Sequence, residues 1–336
     1  MSKEKDIIRK IVDILPQSPA LQNNVFESDA EILSFNNKKL LYSVDEFSKE
    51  DYFRDDYPYE LGLNLAIGTI SDILASGGRP LFFSHSISMS ENWNMNFVEA
   101  FSQGIADVLK DCGAGFIGGD LGKSDSWKYT GIAIGESVKP ITRIGAKEGD
   151  LIYMTGNVGA GNIEAAMNLV LNYDVLGNKI ILPRLKLNLR LKESELISKY
   201  ATSCIDSSDG VLSSLNTISD LNNVGFEISH IPYKKEGIEL CKLISKPKCL
   251  LFMGECGEYE LVFTISKNNE SVLLSEANKN QLVFTKIGEI TGKNKKQIKT
   301  EDEKIDFMNF EISARDYNNI EEYLSDLNNY VKSNRK

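Results

Sequence analysis

Histidine is almost missing from this chain. Its 336 residues include only His85 and His230. Ser–His–Asp triads and His-rich metal sites are therefore poor candidates. Cysteine is also sparse: Cys112, Cys204, Cys241, Cys249 and Cys256 form no Cys-x-x-Cys pair. An odd number of unpaired thiols argues against a disulfide framework or a thiolate zinc site, and predicts a cytoplasmic protein. No charged start leads into a long apolar run, so neither a signal peptide nor a transmembrane helix is expected. Positive charge is in deficit, with 38 Lys+Arg against 48 Asp+Glu and a net charge of −10. That argues against nonspecific binding to nucleic acid or to an anionic membrane. Any phosphate ligand would need backbone amides, a few lysines or recruited cations. Chemistry here falls largely to carboxylates.

The length predicts two domains. EILSF and KKLLYSVD read as strands joined at Asn36-Asn37. YELGLNLAIGTISDILAS (59–76) reads as a helix stopped by Gly77, Gly78 and Pro80. FFSHSISM is strand-like, NMNFVEAFSQGIADVLKDCG helical, and GFIGGD and KYTGIAIGESV strand-like again. The polar stretch KPITRIGAKEGD (139–150) marks a boundary, giving domains 1–140 and 141–336. Beyond it, LIYMTG, GFEIS, LLFMG, ELVFTIS and VFTKIGEIT read as strands, with IEAAMNLVLNY, LKESELISKYA and 318–332 as helices.

Asp72 is the only charged residue between Leu61 and Gly78. Its side of the helix carries Asn64, Gly68, Ser71 and Ala75, and the opposite stripe carries Leu63, Ile67, Ile70 and Leu74. Such a helix is covered on both sides, so its carboxylate is either hydrogen-bonded or bound to a cation. Asp45 ends a strand, where a carboxylate faces a crevice or makes a turn. Asp120 ends GFIGGD, with Gly119 before it and Lys123 after it; this is a strand corner or a phosphate approach. In CIDSSDGVLSSL, Ser208 or Asp209 is expected to cap a helix starting near Val211, an arrangement compatible with anion binding. TGNVGAGN places Gly156, Gly159 and Gly161 between a strand and a helix, as phosphate-cradling loops do, but without the Gly-Lys-Ser/Thr ending of a P-loop.

The order of these segments resembles the thiamine-monophosphate kinase family and its aminoimidazole ribonucleotide synthetase-like superfamily. The resemblance runs from about residue 26 to 317, through SDAEIL, SVDEF, TISDILASGGRP, GGDLGKS, RIGAKEGDLIYMTGNVGAG, IDSSDGVLSSL and GEYELVFT. It implies an α/β (α+β) fold of two α/β domains. The N-terminal domains of a homodimer would pair into a β-barrel, and the C-terminal domain would be an α/β sandwich. It implies ATP and Mg²⁺ as cofactors and a small phosphorylated metabolite as the other substrate. Metal ligands would be Asp29, Asp45, Asp72, Asp120, and Asp206 or Asp209. Catalysis would rest on Asp72, Asp120 and Asp209, and nucleotide contact on Gly119, Lys123, Gly156 and Ser208. Glu258 and Glu260 match a motif near the substrate side. The chain departs from the family pattern at Ser28, where an aspartate is usual, at Tyr52, where a histidine is usual, and in GECGEYEL and GGDLGK. An ATP-dependent paralogue with another acceptor, or a catalytically silent nucleotide-binding dimer, are the alternatives.

Overall fold

A computed structural model describes residues 3–170 and 184–335. It contains two sheets. The first has the order β1-β2-β5-β3-β4, where β1 is Glu31–Phe35, β2 Lys38–Ser48, β3 Arg79–Ser90, β4 Gly115–Ser124 and β5 Lys128–Ser137. All neighbours are antiparallel except β3 and β4. Asn36 and Asn37 both hold positive φ, at 47° and 63°, which suits a tight hairpin between twisted strands.

One face of this sheet is covered by α2 (Pro58–Ala75) and α3 (Met95–Cys112), which follow α1 (Lys3–Ile14) in the chain. Pro58 opens α2, and Gly77, at φ 69°, lies just past its end. The Asn94 side chain caps α3 by accepting from the Phe97 N–H. The two helices touch at Gly104, where a Cβ would lie 2.1 Å from the Tyr59 carbonyl oxygen. From Leu61 to Ala75 every residue of α2 is buried except Asp72, which keeps some contact with solvent. A helix sandwiched in this way explains why its sequence carries one charge.

Residues 138–150 form neither helix nor strand. The second sheet has the order β12-β11-β8-β10-β6-β9-β7. Its strands are β6 (Leu151–Met154), β7 (Ala201–Asp206), β8 (Val224–Ile228), β9 (Leu261–Ile265), β10 (Thr285–Gly292), β11 (Lys296–Lys299) and β12 (Lys304–Asp306). Only β8 and β11 run parallel. β6 and β9 are buried throughout, as expected for strands covered on both faces. Among the described residues the helices of this half are α4 (Ala160–Ala165), α5 (Leu191–Tyr200), α6 (Val211–Asn222), α7 (Lys235–Leu243), α8 (Leu250–Met253), α9 (Glu270–Lys279) and α10 (Ile320–Asn334). α5 and α9 pack with one face; α6 and α10 pack with the other.

LLFMG is not a strand: Leu250–Met253 is the short helix α8. A wholly apolar run of four has no period that separates the two states. The helix expected in IEAAMNLVLNY is present as α4 and a π-helical turn, Ala166–Val170; its last residues lie outside the described ones. The two halves are joined closely. Ser194 of α5 donates to the Leu74 carbonyl of α2 at 2.6 Å, and Arg54 pairs with Glu164, both nearly buried. Among the described residues no helix is long and apolar enough to cross a membrane.

Candidate active site: a buried aspartate cluster

Four elements bring carboxylates to the junction of the halves. Asp29 lies in the turn before β1, Asp45 on β2, Asp72 in the last turns of α2, and Asp206 at the end of β7. Oxygens of Asp29, Asp72 and Asp206 lie within 4.8 Å of one another. Ser43, two residues before Asp45 and on the same strand face, donates its hydroxyl to Asp72 Oδ2 at 2.7 Å. Arg143 Nη2 donates to Asp29 Oδ1 at 2.8 Å, and Arg143 Nη1 to the Phe26 carbonyl at 3.3 Å. Asp206 Oδ1 accepts from the Ser208 hydroxyl at 2.8 Å and its N–H at 3.2 Å.

This leaves the Oδ2 atoms of Asp29, Asp45 and Asp206 buried and without a hydrogen-bond partner among the described residues. Burial, then the charge of Asp206, pushes the Asp45 carboxyl up to about 7. Burial and the charge of Asp29 push Asp206 up to about 6. Asp72 is raised well above its ordinary value by burial and by Asp45. Converging carboxylates with unpartnered buried oxygens, held against the solvent that would ionise them freely, are the donor set a hard divalent cation uses. One guanidinium, that of Arg143, does not balance four such groups.

The two aspartates of CIDSSDG take different positions. Asp206 is 2% exposed and belongs to the cluster. The Asp209 side chain is 59% exposed and meets Arg315 Nη2 at 3.4 Å. Neither Ser208 nor Asp209 caps α6. Its N-cap is Gly210, at φ 82°, with no side-chain cap. Ser208 is instead turned back onto Asp206, which two neighbouring donors from its own turn can reach.

Asp120, Gly119 and Lys123 lie elsewhere, on the edge strand β4, and all three are exposed. The register puts Asp45, Gly131, His85 and Gly119 in one row across β2, β5, β3 and β4. Three strand spacings separate Asp45 from Gly119, about 14 Å. Asp120 and Lys123 are therefore not brought to the aspartate cluster within one copy of the chain.

The glycine loop is also not an open phosphate cradle. Glu258 Oε1 accepts the Gly159 N–H at 2.5 Å. The Glu258 carboxyl is pushed up to about 8 by burial, which these backbone donors partly offset. At Gly156, φ 59°, a Cβ would lie 2.1 Å from Glu260 Oε1. Glu260 in turn accepts from Arg190 Nε and Nη2, both at 2.6 Å, and from Thr155 Oγ1 at 2.5 Å. Gly156 is thus required by the close approach of an internal carboxylate. Tyr52 crosses between the halves, donating its hydroxyl to the Gly257 carbonyl at 2.9 Å.

The sequence reading missed Ser43 and Arg143 as site residues. The period of β2 could have found Ser43, which shares a face with Asp45. Nothing local marks Arg143, whose partner is 114 residues away.

This sequence and fold are similar to those of known proteins. A family model described as AIR synthase related protein, N-terminal domain, matches residues 27–137, which sets the first half in the AIR synthase-related class. The thiamine-monophosphate kinase of Pyrococcus horikoshii is 30% identical over 95% of this chain and 99% of its own. That of Buchnera aphidicola subsp. Acyrthosiphon pisum is 32% identical over 76% of this chain and 80% of its own. The chain belongs to the thiamine-monophosphate kinase family. The structure of AaThiL complexed with AMPPCP and TMP shares the fold, with a TM-score of 0.71 at 23% identity over 89% of this chain and 92% of that one.

Proposed function

We propose that this protein transfers the γ-phosphoryl group of ATP to the phosphate of thiamine monophosphate, giving thiamine diphosphate and ADP. The observation that carries the reading is the cluster of Asp29, Asp72 and Asp206 with Asp45 beside it, and three buried oxygens left without partners. It stands in a chain related over nearly its whole length to thiamine-monophosphate kinases. Joining two phosphates sets several negative charges side by side, so the reaction needs positioning and charge neutralisation more than a strong protein base. That accords with a chain holding two histidines.

Mg²⁺ would be held by Asp29, Asp45, Asp72 and Asp206, and would supply the positive charge that offsets the phosphates. Ser43 orients Asp72, and Ser208 orients Asp206. Arg143 keeps Asp29 in place. Asp209, at the solvent edge of the cleft, retains its proposed catalytic role at the acceptor side. We assign residues 1–140 to nucleotide binding and dimerisation, and 141–336 to the second domain.

The same reading includes a cytoplasmic homodimer whose first sheets close into a barrel. Its support is the apolar surface on the first sheet. Val44 and Phe82, which share a face, are 51% and 46% exposed, and Phe116, Ile117 and Leu121 on the edge strand β4 are 52–64% exposed, as apolar residues at association surfaces are. In such a dimer Gly119, Asp120 and Lys123, on β4 beside that surface, would meet the nucleotide and its metals near the seam between copies.

The test is incubation of pure protein with ATP, Mg²⁺ and thiamine monophosphate, followed by chromatographic detection of thiamine diphosphate. Stoichiometric ADP and thiamine diphosphate are expected. ATP consumption stimulated only by a different acceptor would replace the substrate assignment.

A further inference from the structure

Arg315 stands at the mouth of the aspartate cleft, on a single 3-10 turn, Ala314–Asp316. The turn is anchored from below: Glu255 Oε2 accepts the Ala314 N–H at 2.7 Å and the Ser313 hydroxyl at 3.1 Å. The guanidinium itself is 55% exposed and divided between two carboxylates. Its Nη1 donates to Glu4 of α1, and its Nη2 lies 3.4 Å from Asp209. Glu4, Asp209 and Arg315 line both of two adjoining cavities. The inner one, about 170 Å³, reaches Arg143, Asp206 and Ser208. The outer one, about 520 Å³, has Met253, Met308 and Phe310 on its wall together with Glu255 and Glu311.

α1 is held lightly over this mouth. Ile7, Ile11 and Ile14 are 51%, 51% and 73% exposed, while Ile8 and Val12 are only half-buried, so the apolar anchorage of the helix rests on two residues. Besides the Glu4–Arg315 pair, Lys5 and Arg9 approach the Phe26 ring at 6.0 and 5.6 Å.

We infer that Arg315 is a specificity-determining residue: it binds the phosphate of the acceptor monophosphate in exchange for Glu4, and that exchange releases α1 from the cleft. This rests on the kinase reading above. Exposed ion pairs contribute about 0–1 kcal/mol, so Glu4 is displaced at little cost. A phosphate dianion offers two oxygens to the guanidinium fork and binds it more strongly than a carboxylate touching one nitrogen. A phosphate held there stands between the aspartate cluster and the outer cavity. The methionines, Phe310 and carboxylates of the outer cavity suit an aromatic ring that carries positive charge.

The test uses the full chain and two readouts. In steady-state kinetics, Arg315→Met raises KM for thiamine monophosphate about 10- to 100-fold, the loss of one charge-assisted pair. KM for ATP is unmoved, Arg315→Lys recovers part of the effect, and Glu4→Gln lowers KM for the acceptor. In hydrogen exchange, millimolar inorganic phosphate speeds exchange in residues 4–14 of the wild type but not of Arg315→Met. Absence of thiamine diphosphate in the wild type overturns the kinase reading, and the phosphate-dependent exchange then decides the inference alone. An acceptor KM unchanged in Arg315→Met, or α1 exchange indifferent to phosphate, overturns it. Loss of ATP binding together with the acceptor in Arg315→Met and Arg315→Lys would mark a structural role and overturn it as well.

Discussion

Arg143 donates to Asp29 across 114 residues of sequence, at 2.8 Å, with the Asp29 side chain only 1% exposed. The pair ties the segment after the first sheet to the turn before β1, and it sets one fixed positive charge inside a group of four aspartates. Removing it leaves a buried carboxylate beside three others. Arg143→Ala should destabilise the metal-free protein by about 3–5 kcal/mol, read as a shift in the urea midpoint with the slope unchanged. Asp29→Asn combined with Arg143→Ala should recover much of that loss. A simple sum of the two single effects would show that the pair carries no coupling.

Stability should fall as pH rises through the range of the cluster. In the folded state Asp45 titrates near 7 and Asp206 near 6, against an ordinary 3.8. Between 3.8 and about 7 the folded protein therefore binds more protons than the unfolded chain, and its stability declines with rising pH. A cation in the cluster removes that penalty. Millimolar Mg²⁺ should raise Tm by about 5 °C at pH 8 and by far less at pH 5, where protons hold the same oxygens. Equal gains at both pH values in scanning calorimetry would place the cation elsewhere.

Glu258 occupies the amide end of the glycine loop that a nucleotide would need. Glu258→Ala should cost about 1–3 kcal/mol through unsatisfied backbone donors, measured by chemical unfolding. KM for ATP should change by less than about twofold, because a group worth nothing to the nucleotide shifts no binding energy. A large rise in that KM alone would return the loop to the phosphates.

The exposed apolar residues of the first sheet and its edge strand predict a dimer that depends on apolar contact. Phe116→Asp or Leu121→Asp should convert a dimer to a monomer in sedimentation velocity at micromolar concentration, since burying an unpaired charge costs several kcal/mol. A monomeric wild type would remove the barrel from the account.

Much of the site was legible where the sequence broke its own pattern. Asp72 stood out as the lone charge in a helix apolar on one side and small on the other, and it is the one residue from Leu61 to Ala75 that is not fully buried. Asp206 and Asp209 could not be separated, because a turn leaves both free to point either way; β7, formed by pairing with β9, fixes Asp206 inward. TGNVGAGN read as a phosphate loop because its real occupants, Glu258 and Glu260, come from about 100 residues further on. Asp120 sits beside glycines like the others, yet the strand order carries it to the far edge of the sheet. Local pattern marks a residue as unusual; which unusual residues meet is decided by topology.

On the proposed function, the aspartate cluster is the cation site of an ATP-dependent kinase acting on thiamine monophosphate. The most direct measurement is the rate of thiamine diphosphate formation against Mg²⁺ concentration, in the wild type and in Asp72→Asn. Saturable Mg²⁺ dependence is expected in the wild type, with a loss on the order of 10²–10³ in kcat for Asp72→Asn. An Asp72→Asn enzyme with wild-type rate and wild-type Mg²⁺ dependence would contradict it.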